Sequence, residues 1–237
     1  MRVAALADVH GNSPALAAVL AEVEAAGVDL VVFCGDLTWG SLPRETLALV
    51  EPWRGRSRFV RGNADRMIGT DLEDRGAWIA EQHDEAALAF LRSFEEAVVV
   101  DVDGLGPTRF SHGSPRSDEE CVTVATPDAR MRELLDGVAE RVLVTGHTHV
   151  QYDREVAGVR SLNPGSVGLP YEERPGAYWA LLGPAVELRR TEYDLDGTVR
   201  LFRASGDPTA EKIVELLLTP PPPAEAIAHA ERLVFSG

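Results

Sequence analysis

Apolar residues with two different periods alternate along the first sixty positions. Arg2 to Ala7 is short and apolar and predicts a strand. Ser13-Pro14 opens a helix, with Ser13 as N-cap and Pro14 at the first helical position. Leu16, Val19, Leu20 and Val23 then fall on one face, and Gly27 stops the helix. Leu30 to Cys34 is apolar and β-branched without polar alternation, as in a parallel strand buried on both faces. A second helix runs from about Pro43 to the residue before Pro52, and Arg58 to Arg61 is a third strand. This β-α-β-α-β order predicts an α/β sheet with right-handed crossovers.

The middle of the chain is less regular. Ala64 to His83 reads as loop or irregular helix, and Asp84 to Phe94 as a helix. Ala97 to Val102 and Thr108 to Ser111 predict strands around a Gly-Leu-Gly-Pro turn. Thr126-Pro127 opens a helix reaching about Asp136, followed by a strand from Arg141 to Thr145. From Gln151 to Tyr193 the pattern is β-rich, with turns at Gly158, Asn163-Pro164-Gly165 and Gly183-Pro184. The last segment changes character. Pro208 to Leu218 and Ala224 to Leu233 are helical and separated by the stiff run Pro220 to Pro223. The expected organisation is one domain over residues 1–195 with a helical extension over 196–237 packed on or beside it.

Composition narrows the function. The 237 residues carry 23 Lys+Arg against 38 Asp+Glu, a net charge of −15. So acidic a surface repels long polyanions, which argues against a nucleic-acid-coating role but not against small anionic substrates, because a bound metal reverses the sign locally. The apolar run at the N-terminus is too short for a signal-peptide core and is interrupted by Asp8. The apolar stretch from Ala177 to Val186 contains Gly183 and Pro184 and falls short of the ~18 residues a membrane helix needs. Cys34 and Cys121 are too few for a disulfide framework. The expectation is a cytoplasmic protein without a membrane partner.

Five short blocks, each following an apolar strand, carry the candidate chemistry: Asp8-Val9-His10-Gly11-Asn12, Gly35-Asp36, Gly62-Asn63-Ala64-Asp65, His112-Gly113 and Gly146-His147-Thr148-His149. Ligands at the carboxyl ends of neighbouring strands converge on one crevice. Asp8 and His10 are one residue apart, as are His147 and His149, so an extended chain aims each pair to one side. Together the blocks offer two Asp, one Asn and four of the chain's six His. Mixed imidazole and carboxylate ligation suits Mn, Fe, Ni or Zn better than Mg or Ca. Seven ligands are too many for one tetrahedral site and suit two metals sharing a carboxylate.

In this order, Asp-x-His, Gly-Asp, Gly-Asn, His-Gly and Gly-His-x-His resemble the calcineurin-like metallophosphoesterase superfamily, and most closely its small bacterial YfcE-like phosphodiesterase branch. Val60 to Asp65 and Asn163 to Gly168 resemble that branch too, and the similarity runs from Met1 to about Tyr193. The resemblance implies a four-layer αββα sandwich with two divalent metals at one edge, Mn foremost. It implies that Asp8, His10 and His149 hold one metal, that Asn63, His112 and His147 hold the other, and that Asp36 bridges them. Asp36, Asn63 and His112 would also serve catalysis, and Asn63 would tie its metal to the reacting phosphate. The implied reaction is attack on phosphorus by a hydroxide shared between the metals, hydrolysing a small phosphodiester or nucleotide.

Arg66 and Asn12, beside the metal blocks, are the candidate substrate-binding residues, with Arg61 and Arg116 as weaker ones. Trp39 and Trp78 lie near motif-bearing loops and could wall a cleft, and Tyr171, after the Asn-Pro-Gly turn, could reach substrate, whereas His83 and His229 read as exposed polar residues. One departure stands out: many superfamily members have a His after the Asn, and this chain has Ala64. Ala64→His is therefore expected to raise turnover of alkyl phosphodiesters. The alternatives are a phosphomonoesterase or protein phosphatase using the same centre, or a non-catalytic scaffold such as the retromer subunit that resembles this branch. A homo-oligomer, with the tail helices packing on a second subunit, is compatible with the sequence.

Overall fold

The computed structural model describes residues 1–70 and 74–233. Two five-stranded mixed sheets pack face to face with helices outside, the expected four-layer sandwich. The first sheet contains β1 (Val3–Leu6), β2 (Leu30–Cys34), β3 (Ser57–Val60), β9 (Ala177–Leu182) and β10 (Val186–Thr191), in the order β10-β9-β1-β2-β3. β1, β2 and β3 are parallel, with Val3 opposite Leu30 and Val31 opposite Ser57, while β9 and β10 are antiparallel additions. The second sheet runs β4-β5-β6-β8-β7, from β4 (Ala97–Val102), β5 (Gly106–Ser111), β6 (Val142–Val144), β7 (Tyr152–Val156) and β8 (Val159–Asn163). Its three inner strands are parallel and its two edges antiparallel.

The unbroken apolar runs are explained by this layering. Alternate side chains of a strand face opposite ways. Val3, Ala5 and Ala7, with Val32 and Cys34, meet Val98, Val100, Phe110 and Val144 between the sheets. Ala4, Leu6, Val31 and Phe33 face outward onto α1 (Ser13–Ala26), α2 (Pro43–Val50) and α5 (Glu85–Arg92). The free thiol of Cys34 is therefore core. α6 (Asp128–Leu134) covers the second sheet through Met131 and Leu134.

Three local expectations are corrected. Asn12, not Ser13, caps α1, because its side chain reaches the Ala15 N–H, so Ser13 is the first helical residue. The stretch read as irregular from Ala64 to His83 contains α3 (Asn63–Met67) and α4 (Asp74–Glu81), while residues 71–73 lie outside the described residues. The tail has one helix more than the two expected of it, α7 (Leu195–Ala204), between Tyr193 and Pro208. Its N-cap Asp194 and inward Thr198, Val199 and Phe202 are the signals, diluted by a helix-weakening Gly197. α8 (Ala210–Leu218) and α9 (Pro223–Ala230) complete the tail. No helix among the described residues is long and apolar enough to cross a membrane.

The tail is built into the domain. Val199, Phe202, Ile213, Val214 and Leu217 form one apolar cluster with Leu42 and Leu169 of the strand-end loops. Asp207, between α7 and α8, is buried and accepts hydrogen bonds from Ser41 Oγ and Arg75 Nη2, both at 2.8 Å.

Candidate metal centre

All seven predicted ligands arrive at one edge of the sandwich, each just beyond the carboxyl end of a parallel strand. Asp8 and His10 follow β1, Asp36 follows β2, Asn63 opens α3 after β3, His112 follows β5, and His147 and His149 follow β6. Backbone bonds lock these loops together: Asp8 N–H to Gly35 O at 3.1 Å, His10 N–H to Asp36 O at 2.9 Å, and Gly146 N–H to His112 O at 2.8 Å. Five of the seven hold left-handed backbone angles, with φ of 54° at Asp8, 47° at His10, 56° at Asp36, 66° at His147 and 58° at His149. Such conformations cost on the order of 1–3 kcal/mol each in a non-glycine residue and persist only where the surroundings over-determine them. Close approach sets the neighbouring glycines: a Cβ on Gly62 would lie 2.0 Å from Asp36 Oδ1, and one on Gly35 would lie 2.3 Å from His112 Nδ1.

The donor atoms fall into two facing groups. Asp8, His10 and His149 bring their donor atoms within 4.8 Å of one another, and so do Asp36, His112 and His147. Asp36 Oδ2 stands between the groups, 3.7 Å from His10 Nε2 and 3.5 Å from His112 Nε2. Asn63 Oδ1 is 3.0 Å from His112 Nε2, so Asn63 joins the second group.

The imidazoles are aimed by their far nitrogens. The Nδ1–H groups of His10, His112 and His149 donate to the carbonyls of Trp39, Cys34 and Leu169 at 3.1, 2.8 and 2.7 Å. Each therefore turns Nε2 inward, the arrangement usual for metal-ligating histidines. His147 is reversed: its Nε2 meets the Glu119 carbonyl at 3.0 Å, leaving Nδ1 for the cluster. His10 and His149 place their Nε2 atoms 3.1 Å apart, which needs a proton or a cation between them.

Titration supports the fit to divalent cations. Burial holds His10 and His147 down to about 4, assisted by the charges of His149 and His112, so their lone pairs are free at neutral pH. Burial opposes charge on His112 too, but Asp36 overrides it and lifts this imidazole to about 10. His149 is likewise raised against burial by Asp8. Burial would raise both carboxyls, yet Asp8 is held below its ordinary range by His149 and Asp36 by His112. Without metal, two imidazolium ions neutralise the carboxylates, and divalent cations suit the same donors.

Asp65 has a positioning role. Its buried carboxylate accepts from the backbone N–H groups of Asp36 at 2.8 Å, Leu37 at 3.0 Å and Gly62 at 2.9 Å, tying the β2 and β3 loops together. Burial and the Asp36 charge push it up to about 7, against these three donors. Asn163 acts similarly, donating to Gly146 O at 2.7 Å and Thr148 Oγ1 at 3.0 Å under the His147–His149 loop.

Other candidates are redistributed. Asn12 is fully buried; its amide donates to Gly168 O at 2.9 Å and Tyr193 OH at 3.3 Å while its oxygen caps α1, so it is not presented to substrate. Arg66 borders a recess of about 250 Å³ shared with Arg61, Arg116 and His112. Its guanidinium already pairs with Asp118 at 2.9 Å and Glu119 at 2.6 Å. Trp39 is buried and packed with Ala64 and Ile79 beneath α4. The same packing leaves Ala64 buried. Tyr171 does reach the site, stacked on His149 with ring centroids 4.8 Å apart. A cavity of about 660 Å³ lined by Arg44 and His83 includes none of the seven ligand candidates.

Fold and site define the class. Residues 1–182 match the family model of the calcineurin-like phosphoesterase superfamily domain, and the chain belongs to that superfamily. Over 92% of its length it is similar to 99% of a metallophosphoesterase from Sphaerobacter thermophilus, at 27% identity and a TM-score of 0.74. That match necessarily extends into the segment after Tyr193. Yfce, a phosphoesterase from E. coli, matches in fold at a TM-score of 0.52 and 19% identity, with 81% of this chain and 100% of that one covered. An uncharacterized protein of Methanocaldococcus jannaschii, MJ0912, is 26% identical over 223 residues, spanning 81% of this chain and 88% of its own. The chain is thus a phosphoesterase-superfamily protein with two candidate metal-ligand groups.

Proposed function

We propose that this chain is a metal-dependent phosphodiesterase acting on a small phosphodiester or nucleotide, with two manganese ions as the favoured pair. The observation that carries the reading is the pair of facing ligand groups with Asp36 Oδ2 between His10 and His112. Imidazole and carboxylate donors in this proportion suit Mn, Fe, Ni or Zn, and Mn is the working choice among them. Two such cations acidify water and offset charge on phosphoryl oxygens.

The chain's own residues do the rest. Asp36 ties the two groups together, and Asp65 holds its backbone in place. Asn63 sets a neutral amide beside His112, where it can orient the ester. Arg61, Arg66 and Arg116 line the adjoining recess, and Arg66 is held in place by Asp118 and Glu119. The Gly62–Asp65 block presents no free proton donor, because Ala64 carries none and the Asp65 carboxylate is engaged by three backbone N–H groups. Esters whose leaving groups depart without a proton are therefore preferred. The preference for diesters rests on the resemblance to the YfcE-like branch.

The test is hydrolysis of bis-p-nitrophenyl phosphate beside p-nitrophenyl phosphate, by metal-stripped protein re-supplied with Mn²⁺ and by Asp36→Asn. Metal-dependent turnover of the diester, lost in Asp36→Asn, is the expected result. Preferential turnover of the monoester would replace the diesterase reading by the monoesterase one. Silence with no metal bound would leave a scaffold of the same fold.

A further inference from the structure

A cavity of about 590 Å³ opens between the His147-Thr148 loop, Tyr171 and helix α9. His147 belongs both to this cavity and to the second ligand group, so the cavity and the candidate metal centre share a wall. We propose that it is the specificity pocket of the enzyme and receives an aromatic, nucleoside-sized ester group of the substrate, with α9 as the selecting wall. The proposal rests on the phosphoesterase reading for the location of the phosphate, and deepens it by naming the organic half of the substrate.

Four features converge. Size is the first: ligand pockets run about 300–1,000 Å³, whereas the arginine-lined recess beside His112, at about 250 Å³, suits a phosphate better than a nucleoside. The second is the aromatic floor. Tyr171 is held flat against His149, with a ring tilt of 27°, and is also packed against the apolar cluster of α7 and α8. A half-buried ring held in place by these contacts presents its exposed part to the cavity as a preset aromatic contact and loses little freedom on binding.

Third, the lining is mixed. Ala226 and Leu233 supply apolar surface, while His229 and Arg232 supply donors, so an apolar ring with polar edges is matched better than a lipid chain. His229, bland in the sequence, thus faces the candidate active site across the cavity. Fourth, the wall is pinned. Ala230 is buried, and the Glu231 carboxylate accepts the hydroxyls of Thr123 at 2.5 Å and Thr126 at 2.6 Å. The prolines from Pro220 to Pro223 stiffen the approach to α9.

The experiment compares binding of adenosine monophosphate and inorganic phosphate to the Mn²⁺-loaded full chain by calorimetry. Wild type should bind the nucleotide at least ~10-fold more tightly than phosphate, the worth of one well-placed aromatic contact. Ala226→Trp, which fills the cavity from the helix surface, should bring the two affinities together without changing that for phosphate. Glu231→Ala, which frees α9, should weaken nucleotide binding alone by a smaller factor. Equal or absent nucleotide binding in wild type, or an unchanged ratio in Ala226→Trp, overturns the proposal. Nitrophenyl ester hydrolysis reads the other hypothesis separately. A chain that discriminates the nucleotide as expected but hydrolyses neither ester keeps the pocket and loses the reaction.

Discussion

The ligand cluster and the C-terminal helices face each other across one cavity and are built by opposite means. The cluster gathers buried charge from five loops and holds five of its seven side chains on left-handed backbone. The tail is ordinary amphipathic helix, closed by apolar contacts and anchored by a buried ion pair. One region spends stability and the other supplies it. The difference teaches that the strained edge is held from two directions: by the sheets beneath it, and by helices that pack on its loops.

Substitutions on each side should therefore fail differently. Asp36→Asn should lower metal-dependent ester hydrolysis by about 10²–10³-fold, the scale of removing a transition-state charge partner. Elemental analysis should show lost metal while the fold persists by circular dichroism. Asp207→Ala should do the reverse. It breaks a buried pair worth about 3–5 kcal/mol when one partner is removed, so the denaturant midpoint falls while activity well below it is retained. If Asp207→Ala abolishes activity in fully folded protein, the division of labour is wrong.

Asp65→Asn lies between these. An amide cannot accept all three backbone N–H groups, so metal affinity should drop about 10–100-fold, as for other groups that orient ligands, measurable by chelator competition. The smallest effect is that of pH on the metal-free protein. His112 is raised to about 10, so its contribution to stability is complete below its unfolded value and drains away as pH rises toward 10. His10 and His147 are depressed to about 4, so theirs is present above the ordinary histidine value and lost as pH falls toward 4. Asp65, raised to about 7, offsets part of that acid-side loss. Unfolding free energy of the stripped protein should peak between pH 6 and 7, and a monotonic profile would contradict these assignments.

The strands and the ligand blocks were legible because each is local. An apolar run ends, a glycine turn follows, and a ligand sits at the tip. What was illegible depends on partners distant in sequence. Nothing near Asn12 says that Gly168 and Tyr193 will consume its amide, and nothing near Ala64 says that α4 will bury it under Trp39. His147 looks identical to His149 in sequence, yet Glu119 takes its outer nitrogen and reverses it. His229 is exposed as expected, but helical spacing could not say that the His147-Thr148 loop lies opposite it across the cavity. The left-handed ligand residues were invisible for the same reason, since their conformation is imposed by cross-loop hydrogen bonds.

The carbonyl of Leu169 accepts the Nδ1–H of His149, and the side chain of the same residue belongs to the tail's apolar cluster. The C-terminal helices and a candidate metal ligand are thus mechanically in series. A shift of the tail cluster at Leu169 therefore re-aims that histidine.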